Sequence, residues 1–132
     1  MYKEVITNYM DVLWNKKKTD LITELFSEDV LIHTPMGSFQ TPKDMAEIVR
    51  KWHVAIPDMK MEFLHIIEED NVVIVHWKAH GTHRKDLNAL KATNQPIDYK
   101  GVTIFKFDGD KVVEQWAYVD SWLLDKQTKY QS

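Results

Sequence analysis

Chemistry in this 132-residue chain falls to carboxylates and imidazoles, because it has no cysteine and no serine set in a nucleophile elbow. Without thiols there can be no thiolate nucleophile, no disulfide and no zinc or iron–sulfur centre built on sulfur. Ser38 and Ser121 follow Gly37 and Asp120 with no G-x-S-x-G around either. Gly37, Gly81, Gly101 and Gly109 are too scattered to cradle a phosphate, so no nucleotide cofactor is expected. His76, His80 and His83 crowd one stretch and raise the question of a metal. Val72-Val73-Ile74-Val75 marks that stretch as a strand, and there H-x-x-x-H spacing parts the Cα atoms by about 13 Å, too far to share an ion. Neither a metal nor a cofactor is expected.

Asp120 is the most informative carboxylate. It ends a strand in which Val112, Glu114, Trp116, Tyr118 and Asp120 alternate and so share a face. A carboxyl on the wall of a cavity loses water and holds its proton more tightly, which suits general acid/base work. The alternative is structural: Asp120 before Ser121-Trp122-Leu123-Leu124 also reads as a helix N-cap. Both readings stay open on the residues alone.

Positioning these residues requires a scaffold, and the apolar pattern supplies one. Tyr2, Val5, Ile6, Tyr9, Met10, Leu13 and Trp14 fall at i, i+3, i+4 spacing and predict a helix over 2–14. Leu21, Ile22, Leu25 and Phe26 predict a shorter one, capped by Thr19 or Asp20. Thr41-Pro42-Lys43-Asp44 opens a third, with Met45, Ile48, Val49 and Trp52 on its inner face and Pro57 as its stop. Beyond Pro57 the period falls to 2, predicting strands over 59–69, 72–83, 97–107 and 111–121. Turns fall at Asp70-Asn71 and Asp108-Gly109-Asp110, and a longer connection runs from Arg84 to Pro96. Val30 to His33 reads as a further short strand and Thr34 to Ser38 as a loop.

Helices first and strands afterwards give an α+β domain, the helices on one face of an antiparallel sheet. The last two strands are apolar on both faces, so the face turned away from the helices needs a cover. A homodimer through the sheet is the expectation; a monomer with a half-exposed face is the alternative.

Composition narrows the function classes. A 15.6 kDa chain supports one core, hence a single domain over residues 1–132. With 20 acidic against 17 basic side chains and a net charge of -3, there is no basic face for nucleic acid. No run approaches the roughly 20 apolar residues that span a bilayer. The opening Met1-Tyr2-Lys3-Glu4 has no signal-peptide core, so no membrane partner and a cytoplasmic location are expected. Five Trp, five Tyr and five Phe exceed what one small core hides, which points to a pocket or an interface.

Several segments in order then carry a resemblance. Ile56-Pro57-Asp58-Met59, Gly81-Thr82-His83, Phe107-Asp108-Gly109-Asp110-Lys111-Val112 and Trp116-Ala117-Tyr118-Val119-Asp120, with Leu124 and Gln127, are similar to the F-P-D-h, G-T-H, D-G-K-I and W-x-x-x-D motifs and closing leucine and glutamine of one family. The stretch from Ile56 to Gln127 resembles the SnoaL-like polyketide cyclases and ester cyclases of the nuclear transport factor 2-like superfamily.

The resemblance implies a cone-shaped fold: a curved antiparallel sheet and N-terminal helices enclosing a deep apolar pocket, with dimers packed through the sheet. It makes Asp120 the acid/base, taking a proton α to a carbonyl and returning one to the acceptor carbonyl oxygen. The ring then closes by intramolecular aldol condensation without metal or cofactor. His33 becomes the candidate catalytic partner, and Trp116, Tyr118, His80, Phe39 and Trp52 the walls around a small hydrophobic carbonyl compound. His33 reads equally as a core histidine, and the two tryptophans as packing.

Departures bear on the substrate. Ala92-Thr93-Asn94-Gln95-Pro96 lacks the glycine of the family's P-T-G segment, and Gln127-Thr128-Lys129 replaces its Q-L-G. Thr34 stands before Pro35 where ketosteroid isomerases of the superfamily carry an aspartate, which argues against that activity. The competing reading is a non-catalytic protein that binds a hydrophobic ligand on the same fold.

Overall fold

The computed structural model describes residues 1–87 and 90–120. Helix α1 (Tyr2–Met10) runs into a π-helical turn (Asp11–Asn15), then α2 (Asp20–Leu25), β1 (Phe26–Thr34), β2 (Gly37–Phe39) and α3 (Pro42–Ala55). Four long strands follow: β3 (Lys60–Glu69), β4 (Val72–Thr82), β5 (Pro96–Asp108) and β6 (Lys111–Val119). They form one six-stranded sheet ordered β2-β1-β6-β5-β4-β3, in which every neighbouring pair is antiparallel except β1 and β6. The arrangement is the expected α+β fold with one parallel pair added. Among the described residues, no helix is long and apolar enough to cross a membrane.

Local chemistry explains the boundaries. The Thr41 hydroxyl accepts from the backbone N–H of Asp44 at 3.1 Å, and Pro42 follows at the first helical position, so α3 begins where its sequence says. Ile56 leaves the helical region just before Pro57. Two of the motif segments prove to be a single joint. The Asp58 carboxylate accepts from the Thr82 N–H at 2.7 Å and from its hydroxyl at 2.8 Å, and the first of these bonds leads in holding the acid below the usual carboxylate range. Gly81 makes the approach possible, since a Cβ there would press on Ile56 and lie 3.1 Å from Asp58 Oδ1.

The edge strand β3 is covered by Asn15, whose side chain accepts from the Met61 N–H at 2.7 Å and donates to its carbonyl at 3.0 Å. Ile6, Tyr9 and Met10 of α1, Val49 of α3, and Val73, Val75, Phe105 and Val112 of the sheet pack into one buried core.

Three expectations are corrected. The strand read as Val30 to His33 is the nine-residue β1, and Phe26 begins it rather than ending the second helix. Phe26 pairs with Val112, and the pairing then skips to Leu31; the polar Ser27-Glu28-Asp29 inside that irregularity hides the period-2 signal. The loop from Thr34 to Ser38 holds a turn and the start of β2, with Thr34 opposite Gly37 and His33 opposite Ser38.

The third correction concerns the face assigned to β6. Lys106 pairs with Glu114 while Phe107 pairs with Val112, so the extra residue in β6 turns Val112 into the core. Glu114, Trp116 and Tyr118 stand on the opposite face. The N-cap reading of Asp120 turns on residues 121–124 and, like Leu124 and Gln127, lies outside the described residues.

Candidate functional site: an apolar cavity with unpartnered polar atoms

Between the helices and the inner face of the sheet is a cavity of about 50 Å³. Tyr9, Met10, Leu13 and Trp14 line it from the first helix and its π turn, and Met45, Ile48 and Trp52 from α3. Thr34 and Pro35 contribute at the β1–β2 turn, and Met61, Trp77, Tyr99, Thr103, Phe105, Gln115, Ala117 and Val119 come from the sheet. A dry apolar cavity of roughly 150 Å³ accepts benzene, so this one must widen to take a ligand of that size. Met10, Met45 and Met61 are the side chains able to move aside, being unbranched and soft.

Trp77 shows how the sequence shapes the wall. It lies opposite Gly101 on β5, where a Cβ would come within 2.6 Å of its ring, and reaches across to donate its indole N–H to the Thr103 hydroxyl at 3.0 Å. Tyr99 is then fixed between two indoles, Trp52 stacked at 5.5 Å and Trp77 edge-on at 5.9 Å.

Three polar atoms of the lining residues have no hydrogen-bond partner: the hydroxyls of Tyr9 and Tyr99 and Oε1 of Gln115. Their residues are 1%, 3% and 1% exposed. Each such atom costs about 1–3 kcal/mol when buried without a partner, so three on the residues around one small cavity are a concentrated defect. Burial drives both phenols well above their ordinary pKa, so they remain protonated donors. Among the described residues, no Asp, Glu, Lys, Arg or His lines the cavity.

Of the residues expected around the pocket, Trp52 alone lines it. Phe39 is half-buried and packs against the edge of the core. His80 is exposed in a surface depression with Glu62, Lys78, Asp98 and Lys100. Trp116 stacks on His33 at 5.7 Å on the outer face, and Tyr118 is 59% exposed there. His33 itself is held by Glu114 Oε2, 2.8 Å from Nε2, and by the Ser38 hydroxyl, 3.3 Å from Nδ1. Asp120 is exposed, its N–H bonded to the Lys100 carbonyl at 2.9 Å, in a depression it shares with His76, Lys100 and Tyr118. The wall expected from Trp116, Tyr118 and Asp120 therefore faces away from the cavity, because alternation along β6 gives the inside to Gln115, Ala117 and Val119.

The clustered histidines part company as well. His76 meets His65 through their Nδ1 atoms at 3.0 Å, whereas His83 is buried.

Tyr9, Tyr99 and Gln115 are the residues that sequence reasoning passed over. Gln115 carried a usable signal, a lone amide at the inward position of a strand with Ala117 and Val119. The two tyrosines carried none that separates them from packing aromatics.

Comparison with known proteins places this geometry in context. The family model described as SnoaL-like polyketide cyclase matches residues 3–128. No curated protein matches the chain at a significant level. Among solved structures, AclR from Streptomyces galilaeus, a candidate hydroxylase, superimposes with a TM-score of 0.83 at 21% identity, covering 98% of this chain and 82% of its own. TsrD from Streptomyces laurentii gives 0.86 at 12% identity over 97% and 95%. IdmH from Streptomyces antibioticus, a candidate polyketide cyclase, gives 0.80 at 18% identity over 96% and 98%. At these identities the likeness shows the fold.

Proposed function

Because the chain belongs to the SnoaL-like polyketide cyclase family, whose fold goes with cyclase- and isomerase-type chemistry, we propose that its interior cavity takes up a small, neutral, hydrophobic carbonyl compound. The observation that carries this reading is the set of unpartnered Tyr9 and Tyr99 hydroxyls in an apolar lining. A ketone oxygen accepts from such donors, and they polarise the carbonyl without any metal or cofactor. An anion would enter without a counter-charge among the described lining residues, at heavy desolvation cost.

Acetophenone titrated against the protein tests this through tryptophan fluorescence, since Trp52 and Trp77 both contact Tyr99. Saturable quenching that is lost in Ala117→Phe, which fills the cavity, is the expected result. Quenching indifferent to that substitution would refute the reading.

A second reading keeps Asp120 as acid/base with His33 as its partner, in a cyclase-like enzyme. It draws support from family membership and from Val119, which lines both the cavity and the outer depression, so that Asp120 is one residue from the cavity wall. Proton transfer α to the carbonyl would appear as deuterium uptake into the acetophenone methyl group in D₂O, lost in Asp120→Asn. Uptake no faster than in buffer alone would leave binding without this chemistry.

The same proposal extends to a homodimer through the outer sheet face. Ile67, Ile74, Ile104 and Trp116 form a lateral row across β3, β4, β5 and β6, with Ile67 57% exposed.

A further inference from the structure

The cavity holds more hydrogen-bonding information than a ketone uses. Gln115 Nε2 lies 3.9 Å from the Met45 sulfur. A thioether accepts weakly and cannot donate, which assigns the NH₂ to that side and leaves Oε1 as the unpartnered atom. That oxygen can only accept. The Tyr9 and Tyr99 hydroxyls, kept protonated by burial, donate. An acceptor-only ligand would satisfy a tyrosine and leave Gln115 unpaired, and a donor-only ligand would do the reverse.

We infer that the cavity selects neutral hydroxy-carbonyl compounds, in which a hydroxyl or enol O–H donates to Gln115 Oε1 while a carbonyl oxygen accepts from Tyr99, the phenol fixed between Trp52 and Trp77. This rests on the cavity-binding reading above and adds to it the identity of the second polar group. Selectivity arises because a site built around an unpaired acceptor penalises the ligand that cannot fill it. The same atoms leave a mark on the empty protein. Gln115→Met and Tyr99→Phe nearly preserve volume and remove an unsatisfied group, so they should weaken binding and at the same time keep or raise the melting temperature.

The experiment compares four probes by tryptophan fluorescence: 4-hydroxyacetophenone, acetophenone, 4-ethylphenol and 4-acetylbenzoate. The first should bind about tenfold or more tighter than acetophenone or 4-ethylphenol, and the carboxylate should not bind. In Gln115→Met the advantage of 4-hydroxyacetophenone over acetophenone should vanish while acetophenone affinity holds; in Tyr99→Phe both ketones should weaken. Melting curves of the same variants separate loss of recognition from loss of fold. Equal affinity for 4-hydroxyacetophenone and acetophenone, an advantage that survives Gln115→Met, or a lowered melting temperature in both variants would overturn donor recognition and leave cavity binding standing. Failure of all four probes to bind would overturn both.

Discussion

On the inner face of β6, Gln115, Ala117 and Val119 wall an apolar cavity whose polar atoms are neutral. On the outer face of the same strand, Glu114 pairs with His33, Trp116 stacks on that imidazole, and Tyr118 and Asp120 meet solvent. One residue's step along the chain separates these environments. Ionisable side chains on the outside are solvated and held by each other; on the inside two phenol hydroxyls and the amide oxygen of Gln115 have no hydrogen-bond partner in the protein. The contrast teaches that residue type alone does not locate a site in a sheet, because face is set by register and a single bulge resets it.

The largest expected difference between the two faces is in stability. Phe105→Ala, at a fully buried position on the cavity wall, should cost about 3–5 kcal/mol, whereas Tyr118→Ala on the outer face should stay within about 1 kcal/mol. Urea midpoints of the two variants measure this, and comparable losses would erase the distinction between the faces.

Next comes association. Ile67→Glu puts a charge into the outer apolar row, and light scattering should then report a 15.6 kDa particle, with twice that mass expected for the proposed parent homodimer. A monomeric parent would show that water alone covers the outer face.

Smaller still is the His33–Glu114 pair, which is open to solvent on one side. Breaking it with His33→Ala should change stability by no more than about 1 kcal/mol, because solvent that reaches the contact screens it. Cavity binding of acetophenone should be unaffected. A loss of binding would connect the outer face to the site.

The smallest effect is a pH slope. His83 is buried, and burial lowers its pKa against the opposing pulls of Asp86 and the Lys85 backbone; half-buried His53 is lowered by burial too. The unfolded chain therefore takes up these protons first. Stability should be complete above the ordinary histidine pKa and fall as the pH drops through the depressed folded values. Denaturation midpoints from pH 8 to pH 5 should show that slope, and His83→Asn should flatten it.

Much of the fold was legible in the sequence because its signals are local. Thr41-Pro42 fixes α3, Pro57 ends it, and the Asp108-Gly109-Asp110 turn sets the last hairpin. What escaped depends on distant partners. β1 exists by pairing with β6 across some 80 residues of chain, roughly the spacing from Leu31 to Glu114. β2 is only three residues long, and its pairing shows in its partner His33 rather than in its own pattern.

The site was less legible than the fold. That Trp52 faces inward was legible because α3 is amphipathic. Asp120, Trp116 and Tyr118 were set on one face correctly among themselves, but the bulge beside Val112 broke the link by which that face was joined to the core. The Tyr9 and Tyr99 hydroxyls and Gln115 Oε1 stand out because they lack hydrogen-bond partners, a property that no sequence displays.

The central claim is that ligand chemistry belongs to the inner face. Methyl NMR of methionine-labelled protein, combined with the tryptophan indole N–H signals, reads both faces in one titration with 4-hydroxyacetophenone. The methyls of Met10, Met45 and Met61 and the indole of Trp77 should shift with saturation while the Trp116 indole stays still. A moving Trp116 indole with unmoved cavity methyls would contradict that claim.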